Sequence, residues 1–134
     1  MSFGPVEPTE RLARFIFIRW HFDPQKMVVN HGAFLPPDKL RGIPVPAENR
    51  TLSVCRIIRL RENEVWREGE RVKGRRQESL KARADIQAHA VIETGLSVDA
   101  GNMRRRHADI IGWEGSRILL KATALAQRAT LRLP

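Results

Sequence analysis

The sequence has little of what builds membrane-spanning or disulfide-stapled proteins. It contains one cysteine, so no disulfide can form within the chain, and no basic-then-apolar leader pattern opens it. Its longest apolar runs, such as FIFI at 15–18, are far shorter than the roughly 20 residues that cross a bilayer. We therefore predict a cytoplasmic protein with no membrane partner.

Sequence signatures of several enzyme classes are also missing. The chain has no GxxxxGKS/T or GxGxxG loop to cradle phosphates, and no CxxC, HExxH or GxSxG motif. It has no tyrosine, and aromatic residues make up only 6% of it, which disfavours the base stacking that RRM and OB modules use. From these absences we predict no metal site and no cofactor.

Positive charge is what the sequence has in excess. Its 24 basic and 15 acidic side chains give a net charge of +9. Such an excess favours anionic partners, nucleic acid among them. Most of the basic residues are arginine, and alanine is plentiful, so a GC-rich genome accounts for the same composition. The charge alone leaves both interpretations open.

The hydrophobic pattern predicts one α+β domain. We assign residues 1–10 to a flexible tail and 11–134 to a single domain, with a mainly antiparallel sheet of about five strands and two helices on one face. Alternating or β-branched runs predict strands at 14–22, 27–35, 51–60, 79–98 and 107–113. The alternating polar residues of 79–98 predict a solvent-exposed face on that strand, although its alanines also fit a helix. Apolar stripes at helical spacing predict helices at 61–76 and 117–129, the second capped by Ser116. Four prolines mark 35–50 as a loop.

Two His-x-Asp pairs are the first chemical candidates, His21-Phe22-Asp23 and His107-Ala108-Asp109. Residues two apart on a strand share a face, so each carboxylate can orient the neighbouring imidazole and raise its basicity. Such pairs suit an acid–base dyad or a metal ligand set. Asp23 also begins the turn DPQK, where aspartate is common for local hydrogen bonding. We take His21, His107 and Asp109 as the candidate catalytic residues.

Two arginine clusters are the second candidates. RVKGRR at 71–76 includes Arg75 and Arg76, and the run Arg104, Arg105 and Arg106 precedes the 107–113 strand. Guanidinium groups bind phosphate through two parallel hydrogen bonds, so the clusters predict one anion-binding surface if they lie at the same end of the sheet. Trp66 and Trp113 are near both clusters in sequence. We assign these two side chains to the core.

Five stretches together carry a family resemblance, namely AFLPP at 33–37, LSVCRI at 52–57, VWREGE at 65–70, LKARADI at 80–86 with GLSV at 95–98, and RHADIIGW at 106–113. In combination they resemble a family of small uncharacterised bacterial proteins. The resemblance implies no particular activity. It picks out a polar set of His21, Ser53, Arg56, Arg83, His107 and Asp109, and from it we add Arg56 and Arg83 to the candidate anion-binding residues.

Two functions of different kinds follow. One is a binding protein that contacts nucleic acid or another anionic partner through an arginine-rich face. The other is a small enzyme acting on a phosphorylated or nucleotide substrate, with His107 as acid or base and arginines holding the anion. A convex basic face would favour the first, and a concave pocket gathering histidines and arginines would favour the second.

Overall fold

The structure is a computed structural model that describes residues 4–101, 106–115 and 117–134. Its strands are β1 (Arg11–Ile16), β2 (Phe22–Asp23), β3 (Val28–Val29), β4 (Lys39–Leu40), β5 (Ile43–Pro44), β6 (Leu52–Arg56), β7 (Ala82–Gln87), β8 (Ser97–Asp99), β9 (His107–Ile111) and β10 (Thr130–Arg132). The α-helices are α1 (Glu62–Lys73), α2 (Ala88–Glu93) and α3 (Ile118–Arg128). Single turns of 3₁₀ helix lie at Arg19–His21, His31–Phe34 and Ala47–Asn49.

Six of these strands form one antiparallel sheet, in the order β10-β7-β1-β6-β9-β8. β1 lies near its centre and pairs with β7 along its whole length. The other four strands form two small hairpins, β2 with β3 and β4 with β5. The predicted α+β class with a mainly antiparallel sheet is confirmed, and the sheet has one strand more than expected.

Each face of the sheet carries its own core. Side chains alternate along β1, so that Leu12 and Ile16 face one way while Ala13 and Phe15 face the other. The first face packs against α2, α3 and the fully buried Trp113. The second face is covered by α1, which adds Val65 to a smaller cluster. Two helices therefore share one face, as predicted, but they are α2 and α3; the predicted helix at 61–76 covers the opposite face.

Two predicted strands at the start of the domain are shorter than expected. The strand predicted at 14–22 starts earlier and ends at Ile16, after which the chain forms a 3₁₀ turn. The strand predicted at 27–35 is extended only at Val28–Val29. Its apolar residues Ala33 and Phe34 are buried from a 3₁₀ turn instead, where they pack on the α3 side of the sheet. The apolar residues of 27–35 therefore indicated burial correctly, but not a strand along the whole segment.

The stretch predicted as one strand at 79–98 contains three elements. Its first part is β7, its middle is the helix α2, and its end is β8. Alternation of alanine with polar residues continues into α2, where Ala88 and Ala90 are buried by a helical turn. Alanine has the highest helix propensity and fits either spacing, so the alternation could not separate the two.

The polar face of β7 was expected to contact solvent, and this was wrong. Arg83 is fully buried and Asp85 nearly so. The guanidinium of Arg83 donates to both carboxylate oxygens of Asp85, at 2.9 and 3.0 Å, and to Glu62 of α1 at 3.0 Å. Trp66 lies half-buried over the same guanidinium, 4.9 Å from ring centroid to Cζ. Buried charges are normally paired with an opposite charge, as Arg83 and Asp85 are here, and residues of α1 shield this pair from solvent.

Candidate functional site

The main sheet has a gap beside its central strand. β1 and β6 pair only at Leu12–Arg56 and Ala13–Cys55, although both strands continue beyond this point. A cleft of about 510 Å³ lies at this gap. Most of its lining comes from the face that α1 covers, whereas Arg14 projects from the opposite face, which it shares with Leu12 and Ile16. Residues of β1, of β6, of the C-terminal half of α1 and of the start of β9 line it. We call it the β1–β6 cleft, and its four arginines are Arg14, Arg71, Arg76 and Arg106.

Arg14 lies where the two strands separate. Its Nε donates to the carbonyl of Ala33 and its Nη1 to the carbonyl of Ser53, each at 3.0 Å. No carboxylate of the described residues lies within ion-pair distance of it, and its Nη2 has no hydrogen-bond partner among them. Burial, together with the nearby charge of Arg76, lowers the pKa of Arg14 to about 10. Arg14 is therefore a charged, incompletely neutralised group at the cleft.

The C-terminal half of α1 and the residues just after it supply the outer wall. Arg76 stacks over the ring of Phe17, with Cζ 4.8 Å from the ring centroid. Arg71 lies 3.7 Å from Glu68, one turn back on the same helix. The exposed apolar side chain of Val72 lines the cleft between them. Cationic groups suit the carbonyl end of a helix, so the helix dipole favours this charge pattern.

The start of β9 supplies the remaining basic groups. Arg106 donates from Nη1 to the carbonyls of Arg56 and Ile58, at 3.1 and 2.9 Å, which fixes its stem beside the cleft. His107 follows it and lines the cleft. The Nε2 of His107 lies 2.8 Å from Oδ1 of Asp109, two residues along the same face. The carboxylate thus holds one ring nitrogen and leaves Nδ1 without a partner among the described residues.

Charge in the cleft is unbalanced. Four arginines line it, and among the described lining residues Glu68 is the single carboxylate. The same residues supply an apolar part, which consists of Ala13, Phe15, Phe17, Val54 and Val72. Positive charge in a concave site with low-dielectric walls attracts anions more strongly than the same charge on an open surface. This arrangement can hold an anionic group and, beside it, an apolar one.

Two of the predicted anion-binding arginines are engaged inside the protein. Arg56 and Arg83 are 3% and 0% exposed. Arg56 forms a two-bond ion pair with Glu10, and Arg83 is held by Asp85 and Glu62. Protein carboxylates already occupy both guanidinium groups, so we do not include them in the candidate site.

The other predicted residues divide into three groups. Arg76, Arg106 and His107 line the cleft, and Asp109 contacts His107 from beside it. Arg75 is exposed and is not part of the lining, while Arg104 and Arg105 lie outside the described residues.

His21 is likewise not part of the lining. Its ring packs against the backbone of Gly32, so tightly that a Cβ at that glycine would lie 2.8 Å from its Cδ2. Burial lowers the pKa of His21, and the charge of Arg14 and of His31 adds to this effect.

Arg14 and Glu68 are the charged cleft residues that the sequence analysis did not place in a candidate site. Arg14 occupies an alternating strand position where a core residue is expected, and an arginine at such a position is the one local signal that marks it. Of the three tryptophans, Trp20, which the sequence analysis did not assign, is 78% exposed on its 3₁₀ turn.

The described ranges contain no group of three or more histidine, cysteine, aspartate or glutamate side chains that could hold a metal ion. Nor does any helix in this part of the chain have the length and apolar character needed to cross a membrane. Comparisons with protein-family models, with curated proteins and with solved structures gave no match.

Proposed function

We propose that this is a binding protein for an anionic, phosphate-bearing ligand, and that the β1–β6 cleft holds the anionic group. The observation that carries the proposal is Arg14, a charged side chain in a concave site with no carboxylate partner among the described residues. Structural arginines are normally neutralised, as Arg56 and Arg83 are here. An arginine held by carbonyls alone retains its charge for a ligand.

The proposal favours a discrete anionic group over a broad polyanion surface. The basic residues that face the cleft come from β1, from α1 and the turn after it, and from the start of β9, and they converge on one concavity. Its volume lies within the range of small-molecule sites, about 300–1,000 Å³. A nucleic acid would then contribute one phosphate to the cleft rather than lie along it.

A matched pair of neighbouring arginines tests the proposal. Binding of pyrophosphate and of a short single-stranded oligonucleotide is measured by calorimetry for the wild type, Arg76→Gln and Arg75→Gln. Arg76→Gln should weaken binding roughly tenfold to a hundredfold, since a charge-assisted hydrogen bond contributes about 1.5–3 kcal/mol. Arg75→Gln removes the same charge outside the cleft and should change affinity less than about threefold.

The salt dependence of the same binding gives a second readout. A single bound anion gives a shallow dependence on salt, whereas many phosphate contacts give a steep one. Equal losses from Arg75→Gln and Arg76→Gln, with a steep salt dependence, would show a diffuse polyanion surface instead of a cleft. If neither pyrophosphate nor the oligonucleotide binds at low salt, the proposal is wrong.

A second candidate function, an enzyme acting on a phosphate ester, rests on His107. Asp109 holds its Nε2, and Nδ1 is available beside the arginines. In such an enzyme Nδ1 would take a proton from water as its oxygen bonds to phosphorus, and would return it to the departing ester oxygen. His107→Ala should then abolish phosphate release from a nucleotide but leave nucleotide binding and thermal stability near wild type. His89→Ala, a histidine outside the cleft, is the control.

A further inference from the structure

The β1–β6 cleft is divided into chemically different parts. Arg14 lies on β1 and Arg106 immediately precedes β9, and both line the cleft. Val72 belongs to α1 and is 50% exposed, although it lines the cleft. A ligand that consisted only of phosphate would leave this apolar side chain in water.

Phe17 and Arg76 add a flat surface to the apolar part. The Phe17 ring is nearly buried, and the guanidinium of Arg76 covers it at 4.8 Å. A guanidinium is planar and has two faces, of which one is used by Phe17. Arg76 itself is exposed, so its other face is available to a second flat group. Nucleobases stack on arginine planes in this way.

Glu68 is a carboxylate in a cleft whose other charged side chains, among the described residues, are cationic, and binding of an anion does not require it. Its side chain is only 16% exposed, and it lines a cleft whose purpose would otherwise be positive charge. A carboxylate there repels phosphate but accepts hydrogen bonds from N–H and O–H groups. Its position therefore favours a ligand that carries donors as well as an anionic group.

From these features we infer that the ligand is a nucleoside monophosphate. Its phosphate lies at Arg14 and Arg106 and accepts a hydrogen bond from the N–H edge of Arg76. Its base packs on the open face of Arg76 and on Val72, and Glu68 accepts a hydrogen bond from the base or the sugar. This inference rests on the proposed function, because it assigns a ligand class to the same cleft. It adds that the apolar wall and Glu68 select among anions.

The test compares ligands that contain different parts of a nucleotide. Calorimetry on the full chain measures the binding affinity of inorganic phosphate, ribose 5-phosphate, adenosine and the four common nucleoside monophosphates. At least one nucleoside monophosphate should bind tenfold or more tighter than phosphate or ribose 5-phosphate. Equal affinity for all phosphates would overturn the ligand class yet leave the anion-binding proposal standing, whereas no binding of any compound would remove both. Tight binding of oligonucleotides alone would also overturn it.

Two variants separate the parts of the site. Val72→Ser should weaken the preferred nucleotide about fivefold and leave phosphate affinity unchanged, while Ile92→Ser, an equally exposed change on α2, should alter neither. Glu68→Ala should tighten phosphate binding and weaken nucleotide binding, so the ratio of the two affinities falls at least tenfold. Parallel changes for phosphate and nucleotide in either variant would contradict the inference.

Discussion

Glu10 accepts two hydrogen bonds from the guanidinium of Arg56, at 2.6 Å from Nε and 2.8 Å from Nη2. The two side chains are 1% and 3% exposed. Arg56 also donates to the carbonyls of Gly4 and Pro5, at 2.6 and 3.3 Å. The ion pair and the two carbonyl contacts connect Gly4, Pro5 and Glu10 to β6 of the main sheet.

Removing the charge of Glu10 should destabilise the fold. Glu10→Gln leaves the positive charge of Arg56 buried without its counter-charge, which costs about 3–5 kcal/mol of unfolding free energy. Urea denaturation measures the loss. Glu7→Gln makes the same change at an exposed position and should stay within about 0.5 kcal/mol of wild type. A loss for Glu10→Gln as small as that of its control would show that the pair adds no net stability.

The tryptophans offer a second matched comparison. Trp113 is fully buried, and its Nε1 donates to the carbonyl of Ile110 at 2.8 Å. Trp113→Ala should cost about 3–5 kcal/mol, because a large cavity opens in the core. Trp20 is 78% exposed, and Trp20→Ala should change the urea midpoint little. If the two variants unfold at similar urea concentrations, the assignment of Trp113 to the core is wrong.

Gly69 lets α1 approach the sheet. A Cβ at this position would lie 2.6 Å from Cδ2 of Leu80 and 2.8 Å from Cε1 of Phe15. Alanine normally stabilises a helix interior by about 1 kcal/mol relative to glycine. Here Gly69→Ala should instead destabilise the protein by about 1–3 kcal/mol through overpacking. Glu70→Ala, at the next, exposed position of the same helix, is the control. Increased stability of Gly69→Ala would mean that both side chains repack freely.

The thiol of Cys55 should be unreactive at neutral pH. Burial raises its pKa to about 12, and the negative charge of Glu68 contributes in the same direction. Only the thiolate reacts with iodoacetamide, so alkylation of the folded protein should be on the order of 100-fold slower at pH 8 than in urea. The rate should still be rising at pH 10. A rate that levels off near pH 9 would show an ordinary thiol, and Glu68→Gln should move the profile to lower pH.

Local pattern predicts those elements whose apolar residues recur at a regular spacing. The helix at 61–76 became α1, and the strand at 51–60 became β6, because an apolar stripe and an alternation identify such elements directly. β10 was not predicted because it is only three residues long, with Leu131 as its single buried side chain. A strand of this length is stabilised by its pairing with β7, and this long-range pairing cannot be read from the local sequence.

The candidate site was only partly predictable for a related reason. Arg76 and His107 attract notice through local clusters of charge and through the His-x-Asp pair. Arg14 belongs to no local charge cluster. It becomes a candidate only because folding brings it to the carbonyls of Ala33 and Ser53, which are far from it in sequence. The opposite error concerned Arg56 and Arg83, whose carboxylate partners are visible only once the chain has folded.

The manner in which Arg14 is held bears on how such a protein can evolve. Its two anchors are the carbonyl oxygens of Ala33 and Ser53, which every amino acid provides. Substitutions at positions 33 and 53 that preserve the backbone keep the guanidinium in place. Val72, by contrast, is a half-exposed residue of α1, where exchanges are well tolerated. The proposed binding site thus combines a charge whose anchors do not depend on side-chain identity with a wall that varies easily, and it would let related chains change ligand without rebuilding the site.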